Sequence, residues 1–399
     1  MKLLIVLPYV PYPLTRGTFQ RVYNLTEQLA SAYETDIFCL SQEPGDADQL
    51  PRFEGLARRA RFSPFKHPPW PSFWTNRLWH SLPTTIRHWQ SDTVLADLTE
   101  FVSGHDYDLI YFVDIVLWPY IEKLFPNHPG RIMDRSRVDW LFQREELNTL
   151  PEPRWGKFMR RENLFKMVRY EKRALQQLRL EVVCGEDDKT FLESKLGPLP
   201  NLFVLPNGAN TQYFDAELWP PKPTDFPSAV FCGALDYTPN SDGLHWYFKH
   251  IHDSILEICP AYRLFLVGKN PGPDIRHYAD TPGVEFVGEV PDVRPYYQKA
   301  WFQIVPLRIG GGTRLKIAEG LAMENPVVST TIGAQGIELA SGRDILLADQ
   351  PEDFAKACLR MINDENLRRN IAKSGRTRIL DAYTWPALAK RLTNRIASS

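Results

Sequence analysis

Short, wholly apolar runs recur along this chain, and they constrain its fold more than any other feature. The first is the run LLIVL at 3–7, and comparable runs follow at intervals long enough for a connecting helix. Strands that are apolar almost throughout belong to parallel sheets covered by helices on both faces. After the first run, Val22, Leu25 and Leu29 recur at roughly helical spacing. The sequence therefore predicts an α/β protein with doubly wound parallel sheets.

The apolar runs form two groups separated by a proline-rich linker. The first group predicts strands at 2–7, 35–40, 108–113, 131–133 and 180–184, and the second at 229–232, 263–267, 284–286, 302–305 and 327–330. Since 399 residues are well above the ~150 of one typical domain, we expect two domains. We place an N-terminal domain at 1–205, a C-terminal domain at 206–380 and a closing helix at 381–399 that packs on the N-terminal domain. Two such domains facing one another would bind ligands in a cleft at the carboxyl ends of their strands.

Composition excludes several classes of protein. With 43% apolar and 24% charged residues, the chain is close to the globular average and is neither disordered nor a coiled coil. A net charge of -1 gives no overall field for a polyanion, and no nucleic-acid recognition module is present. Five scattered cysteines without a zinc-ligand spacing predict buried thiols in a reducing compartment and no metal site. The first apolar run is too short for a signal peptide, so we expect a cytoplasmic location.

A glycine-rich segment after the fourth strand of the second group carries the clearest chemical signal. Gly310-Gly-Gly312 precede a helix that begins near Thr313 and places Glu319 on its second turn. Glycines allow a ligand close to the backbone, and the amides at a helix start attract phosphate. Arg314 and Lys316 add positive charge, and Glu319 can accept hydrogen bonds from ribose hydroxyls. The alternative is a tight turn with a surface salt bridge.

At these residues the sequence resembles glycosyltransferase family 4, the retaining sugar transferases of the GT-B fold. The resemblance implies two Rossmann-like domains facing across a cleft, with the last helix crossing back to the first domain. The family motif has two glutamates separated by seven residues. Glu319 matches the second, which holds the ribose, whereas Gly311 stands at the first, which contacts the sugar. The backbone from Gly312 through Thr313 to Leu315 matches the donor-phosphate loop.

Other segments extend the resemblance over most of the chain. The stretch 204–214 resembles the family's proline-asparagine-glycine turn. The resemblance at 231–240 implies that Gly233 and Asn240 line the donor site. The resemblance at 287–293 implies that Val290 contacts the base. The family often has an arginine and a lysine soon after the glycine at 233, and this chain has neither there. We therefore expect Arg314 and Lys316 to supply that charge as catalytic groups.

In the first domain, the resemblance points to two further positions. Gly17 matches the glycine-rich loop under the donor phosphate, with Arg16 beside it as an acceptor candidate. Asp134 lies at or near the position of a family histidine that contacts the transferred sugar. Its carboxylate could orient a sugar hydroxyl or accept the acceptor's proton. The alternative is a helix N-cap or a salt bridge to Arg135 or Arg137.

Two basic stretches make membrane contact a candidate property. Residues 55–91 contain no carboxylate but hold Arg58, Arg59, Arg61, Lys66, Arg77, Arg87, Trp70, Trp74, Trp79 and Trp89. The stretch 154–173 has eight lysines and arginines, near a helical stripe of Phe158, Leu164, Phe165, Val168 and Leu175. Cations beside tryptophans suit a headgroup interface that holds a lipid-linked acceptor, with Trp70, Trp74 and Trp79 as contacts. The alternative is core tryptophans and a solvated helix.

The resemblance implies transfer of a sugar from a UDP- or GDP-linked donor to a hydroxyl on a glycan, lipid-linked or protein acceptor. It also implies retention of configuration and no metal or other cofactor. The implied role is in exopolysaccharide, lipopolysaccharide or other glycoconjugate biosynthesis. With membrane contact, the protein would act on the inner face of the membrane. Alternatives are an epimerase or a phosphorylase on the same fold, or a catalytically silent scaffold that binds sugar nucleotides. A nicotinamide oxidoreductase is disfavoured because no strand is followed by the Gly-x-Gly-x-x-Gly fingerprint.

Overall fold

A computed structural model describes residues 1–14, 17–68, 81–136, 138, 154–310 and 312–399, with the side chains at 154 and 155 left out. The chain divides into two compact units. Unit 1 comprises Met1–Leu205 and Ala389–Ser399, and unit 2 comprises Pro206–Leu388. Each unit has its own parallel sheet.

Unit 1 contains a seven-stranded sheet in the order β3-β2-β1-β4-β5-β6-β7, and every pair of neighbours is parallel. Its strands are β1 (Lys2–Leu7), β2 (Glu34–Ser41), β3 (Arg59–Pro64), β4 (Leu109–Val113), β5 (Arg131–Asp134), β6 (Leu180–Val183) and β7 (Leu202–Val204). The connecting helices are α1 (Gly17–Ala32), α2 (Leu50–Glu54), α3 (Thr84–Arg87), α4 (Asp92–Val102), α5 (Trp118–Leu124), α6 (Arg154–Leu175) and α7 (Glu186–Leu196). The central strands are buried, as their apolar runs predict.

Unit 2 contains a six-stranded parallel sheet in the order β10-β9-β8-β11-β12-β13. Its strands are β8 (Ser228–Cys232), β9 (Arg263–Val267), β10 (Val284–Gly288), β11 (Phe302–Val305), β12 (Val327–Ser329) and β13 (Leu346–Leu347). Its helices are α8 (Thr238–His250), α9 (His252–Ile258), α10 (Pro273–Arg276), α11 (Arg294–Lys299), α12 (Leu315–Ala322), α13 (Pro351–Asn363) and α14 (Glu365–Ala382), followed by α15 (Trp385–Ser398). The two sheets confirm the predicted doubly wound α/β class.

Both sheets reverse their strand order at one point, and this reversal decides where a ligand can bind. In unit 1 the chain order reverses between β1 and β4, and in unit 2 between β8 and β11. At such a switch point the loops that leave the carboxyl ends of the two strands diverge and open a crevice. The loops after β8 and β11 are therefore the natural ligand site of unit 2.

Three strands lie outside the ten that the apolar runs predict. Strand β3 has the sequence RARFSP, whose alternating charges are typical of a sheet edge. Strands β7 and β13 are also edge strands, of three and two residues. A strand with one open side need not be apolar on both faces, so its sequence carries no buried-strand pattern.

The basic residues before and within β3 find carboxylate partners on other elements. The Asp36 carboxylate accepts hydrogen bonds from Arg58 at 2.6 Å and from Arg59 at 2.9 Å, and Arg61 pairs with Glu100 at 3.0 Å. Burial by itself would raise the pKa of Asp36, but the bonds from Arg58, Tyr107 and Arg59 hold that pKa below its ordinary value. The excess charge expected at 55–91 is thus reduced by partners outside that stretch.

The chain ends in two helices. Helix α14 runs to Ala382, and α15 begins at Trp385, where the Thr384 hydroxyl accepts a hydrogen bond from the Ala387 amide at 3.2 Å. The first residues of α15 belong to unit 2 and the later ones to unit 1. In unit 1, Arg179 donates to the Ile396 carbonyl at 2.7 Å. Within the described ranges, no helix is long and apolar enough to cross a bilayer.

Candidate active site

The loop after β11 is held at both ends. At its start, the Thr330 hydroxyl donates to the Leu307 carbonyl, and the Gly333 amide donates to that hydroxyl at 2.8 Å. At its end, the Asn207 amide donates to the Thr313 hydroxyl at 2.9 Å. This last bond connects the loop to the proline-asparagine-glycine turn, so that turn supports the candidate site through its backbone.

Glycines allow the backbone conformation of this loop. Gly310 and Gly312 have φ values of 108° and 77°, which side-chain-bearing residues rarely adopt. A Cβ at Gly310 would lie only 2.7 Å from Nη2 of Arg314, whereas a Cβ at Gly312 would meet nothing within 4 Å. Arg314 is therefore folded against the loop backbone, with 8% of its surface exposed, and Gly312 faces open space.

Lys316 is brought to the loop after β8. Its Nζ donates to Oδ1 of Asn240 at 2.8 Å, and Nδ2 of Asn240 donates to the Ala234 carbonyl at 2.7 Å. The ammonium group also lies 4.3 Å from the ring centroid of Phe231, a favourable cation–π distance. A Cβ at Gly233 would be 2.7 Å from Nζ, so only glycine admits the lysine here. The structure thus joins Gly233, Asn240 and Lys316 in one constellation.

Two ionisable side chains of α12 have strongly shifted pKa values. Burial lowers the pKa of Lys316 to about 7, against the raising effects of Cys232 and Glu319. Burial raises the pKa of Glu319 to about 7, against the opposing effect of Lys316. Among the described residues, no side chain or amide donates a hydrogen bond to the Glu319 carboxylate. Perturbed pairs of this kind are concentrated at functional sites.

The start of α12 lacks a side-chain cap. The helix begins at Leu315, and its N-cap residue, Arg314, makes no side-chain capping bond. The first amides of a helix have no partners within the helix and carry a partial positive charge. Together with Lys316, they form a site that fits a phosphate or diphosphate group.

The loop after β10 lies two strands away from β8 in the same sheet. Gly288 has a φ of 77°, and its carbonyl accepts a hydrogen bond from the Gly268 amide at 2.8 Å. Val290 is half-buried and packs against the apolar cluster on this side of the sheet. Asp292 and Arg294 pair at 2.8 Å beyond it. The role of Val290 in contacting a base stays a prediction.

Asp134 does not occupy an open position in unit 1. It is fully buried, and both of its carboxylate oxygens accept hydrogen bonds from Arg21, the shortest at 2.6 Å. Burial by itself would lower the pKa of Arg21, but the Asp134 carboxylate raises it above its ordinary value. Arg21 also donates to the Leu205 carbonyl at 2.8 Å. Asp134 therefore forms a buried ion pair with Arg21, which favours a structural role over the role expected at a sugar or acceptor.

Asp114 is a candidate that the sequence analysis missed. It follows β4 directly, beside the strand-order reversal of unit 1, and it is half-buried. Its backbone has φ 74° and ψ 147°, a conformation that costs energy for any residue other than glycine. Its amide donates to the Asp134 carbonyl at 2.8 Å. The only sequence signal is an acidic residue at the carboxyl end of a buried run.

The structure describes only some of the remaining predicted site residues. Gly17 is the first residue of α1, and Leu315 is the first residue of α12. Five predicted positions lie outside the described residues: Arg16, Trp70, Trp74, Trp79 and Gly311. Their assigned roles stay predictions.

The comparisons with known proteins bear first on unit 2. Residues 226–364 match the family model of the group 1 glycosyl transferases, so this part of the chain is similar to that family. The match covers β8 to α13 and therefore includes Gly233, Asn240, Lys316 and Glu319. An uncharacterized glycosyltransferase of Methanocaldococcus jannaschii is 32% identical over 87 residues, which are 21% of this chain and 24% of that protein. The chain thus matches about a quarter of the length of this curated relative.

Solved structures match over the whole chain at low identity. Sucrose-phosphate synthase from Thermosynechococcus elongatus has a TM-score of 0.67 and 19% identity, covering 100% of this chain and 99% of its own. Anabaena HepE in complex with UDP-glucose has a TM-score of 0.63 and 13% identity, covering 100% of both chains. These likenesses show the fold, and they confirm the predicted GT-B class with its two Rossmann-like domains.

Proposed function

We propose that this protein is a glycosyltransferase that moves a sugar from a nucleoside-diphosphate sugar to a hydroxyl-bearing acceptor. The observation that carries the proposal is the constellation of Gly233, Asn240 and Lys316 beside the uncapped start of α12. It lies within the residues that match the model of the group 1 glycosyl transferases. It combines a lysine, free helix amides and a close-approach glycine, which together suit a diphosphate.

Charge stabilisation is the chemical task of this constellation. When the glycosidic bond to the donor breaks, negative charge develops on the leaving diphosphate. Lys316 and the first amides of α12 would stabilise that charge, with Arg314 beside them. Because these donors are fixed by the Asn240 bond and by the Gly310 loop, they need little rearrangement during the reaction. The proposal therefore assigns the leaving group to protein donors and requires no metal or other cofactor.

Glu319 completes the nucleotide site in this proposal. Its carboxylate is on the second turn of α12, with no donor among the described residues and a raised pKa. Two ribose hydroxyls would supply the missing hydrogen bonds, which are strong when the acceptor is charged. Val290 is proposed to contact the base. Since the Anabaena neighbour was solved with UDP-glucose, UDP is the first nucleotide to test and GDP the second.

The acceptor is assigned to unit 1. Asp114 is proposed to orient the acceptor hydroxyl, because its strained backbone fixes a half-buried carboxylate at the strand-order reversal. Asp114→Asn is expected to slow turnover and leave UDP binding unchanged. A glycan, lipid-linked or protein acceptor in glycoconjugate biosynthesis, transfer with retention and a cytoplasmic location complete the proposal, and they rest on the family resemblance.

Titration calorimetry of the full chain with UDP and GDP in EDTA tests the donor site. We expect one of them to bind with micromolar affinity, and Glu319→Ala to weaken it by about 1–3 kcal/mol, the value of hydrogen bonds to a charged group. Glu324→Ala, one turn beyond the site, is the matched control and should bind as the wild type does. Equal binding by Glu319→Ala would refute the assignment of the site.

A silent scaffold is the second candidate, and Gly311 is the feature that favours it. The family's sugar-contacting glutamate is missing there, so nucleotide could bind without transfer. Incubation with UDP-glucose and other donors, followed by product analysis, separates the alternatives. A transferase needs an acceptor, an epimerase changes the donor without one, a phosphorylase consumes or releases inorganic phosphate, and a scaffold turns over nothing.

A further inference from the structure

Helix α6 of unit 1 presents an exposed face of unusual composition. Phe158, Arg161, Phe165, Arg169 and Lys172 follow one another at positions i, i+3, i+7, i+11 and i+14, and all five are exposed. This spacing places them along one side of the helix. Phe158 and Phe165 expose 50% and 64% of their surface, which is rare for phenylalanine. We call these five residues the outer face of α6.

The opposite side of α6 is anchored in unit 1. Asn163 accepts a hydrogen bond from the Thr84 amide at 2.8 Å, and Met167 is buried in the core. Leu164 and Val168 pack against the same core, and Leu175 is buried in it. The apolar stripe predicted from the sequence is therefore divided: its aliphatic members face inward, and only its two phenylalanines face outward. The anchoring fixes which side of the helix a partner would meet.

The charges of α6 divide in the same way. Its two carboxylates are both neutralised, since Glu162 pairs with Lys166 on the helix and Glu171 pairs with Arg135 in the interior. Within the described part of the chain, no carboxylate forms an ion pair with Arg161, Arg169 or Lys172. The outer face therefore presents positive charge alone, and Cζ of Arg169 lies 5.6 Å from the ring centroid of Phe165.

We infer that the outer face of α6 is a docking surface for a membrane that contains anionic phospholipids. Cations on an amphipathic helix are attracted to anionic headgroups, and aromatic rings are stabilised when they enter the boundary between headgroups and acyl chains. A nucleic acid or an acidic glycan would account for the three cations but would leave the two phenylalanines in water. The inference is independent of the proposed enzymatic function, because it concerns a different unit and a different ligand.

Vesicle co-sedimentation of the full chain tests this surface. The probes are vesicles of phosphatidylcholine alone and vesicles with three parts phosphatidylglycerol to seven parts phosphatidylcholine. We expect binding to the anionic vesicles only, weakened by added salt. The triple variant Arg161→Gln/Arg169→Gln/Lys172→Gln should bind about a hundredfold more weakly, from ~1 kcal/mol for each cation near an anionic surface. Phe158→Ala/Phe165→Ala should bind at least about tenfold more weakly, because two phenyl rings no longer enter the headgroup boundary.

Two matched controls separate this face from general surface chemistry. Lys373→Gln/Lys390→Gln/Arg391→Gln removes three exposed cations elsewhere, and Leu218→Ala/Ile258→Ala removes two exposed aliphatic side chains elsewhere. Both should bind the anionic vesicles as the wild type does, and circular dichroism should show that all variants are folded. No sedimentation of the wild type, or equal loss in the controls, would overturn the inference. Binding to heparin that the phenylalanine variant retains, without vesicle binding, would identify a polyanion partner instead and would also overturn it.

Discussion

Two charge clusters of this protein look alike in composition and differ in burial and in how completely their charges are matched. In unit 1, Arg21 and Asp134 are fully buried and bonded to one another through several atoms. In unit 2, Lys316 is bonded to a neutral amide, and the Glu319 carboxylate accepts nothing from the described residues. The pKa of Arg21 is raised, whereas that of Lys316 falls to about 7.

The difference teaches how to distinguish a structural cluster from a binding cluster. A buried charge that is satisfied within the protein has nothing left to offer a ligand, and removal of its partner is strongly destabilising. A buried charge that is left unmatched costs stability, and a ligand of complementary charge recovers that cost when it binds. By this criterion Arg21 and Asp134 belong to the scaffold, and Lys316 and Glu319 are candidates for the proposed nucleotide site.

The largest effect is expected from breaking the matched pair. Asp134→Ala leaves the Arg21 guanidinium buried without its carboxylate and should lower the free energy of unfolding by about 3–5 kcal/mol. Urea denaturation monitored by circular dichroism measures it. Asp353→Ala removes the partner of Lys356 in an exposed pair and should change stability by less than ~1 kcal/mol. Similar losses in both variants would contradict the distinction.

The next effect comes from removing the unmatched lysine. Lys316→Met should weaken UDP or GDP binding by about 1.5–3 kcal/mol, since a hydrogen bond to a charged group is lost. The same variant should be as stable as the wild type at pH 7, or more stable, because burial of Lys316 disfavours its charged form. Calorimetry and urea denaturation of one preparation give both values. A loss of stability comparable to that of Asp134→Ala would place Lys316 in the scaffold instead.

A smaller effect tests the close approach at Gly233. Gly233→Ala places a methyl group where Nζ of Lys316 and Nδ2 of Asn240 lie, at 2.7 Å and 2.9 Å from the new Cβ. The lysine must move, and nucleotide affinity should fall by about tenfold, or ~1.4 kcal/mol. Gly45→Ala is the control, since its Cβ would meet nothing within 4 Å. Unchanged affinity in Gly233→Ala would show that the lysine position is not needed.

The effect that is smallest for a small change in conditions is a pH dependence of nucleotide binding with a maximum near 7. Above this pH Lys316 loses its proton and its charge, and below it Glu319 gains a proton and becomes a poorer acceptor. Each limb should change affinity by at most ~tenfold per pH unit, as for one proton. Calorimetry from pH 5.5 to 9 measures the profile. Lys316→Arg should flatten the alkaline limb of the affinity profile. Glu319→Gln should flatten the part of the acid limb that protonation of Glu319 causes. Profiles identical to that of the wild type would rule out both groups.

Much of this protein could be predicted from local sequence patterns. The apolar runs determine the parallel strands, because a strand buried on both faces has to be apolar throughout. The glycines and charges from Gly310 to Glu319 predict a phosphate-type site, because loop conformation, helix start and side-chain spacing are all set within one short segment.

Only the tertiary structure decided which charges are matched. Arg21 and Asp134 are 113 residues apart in the chain, and Arg58, directly before β3, pairs with Asp36 on the neighbouring parallel strand β2. In the same way, packing decided that Leu164 and Val168 face the core while Phe158 and Phe165 face outward. The type of a residue and its position in a pattern indicate what its side chain can do. The burial and the partners of that side chain depend on segments that are distant in the chain. Desolvation and ion pairing depend on those distant segments, and therefore Asp134 became part of the scaffold while Lys316 stayed available to a ligand.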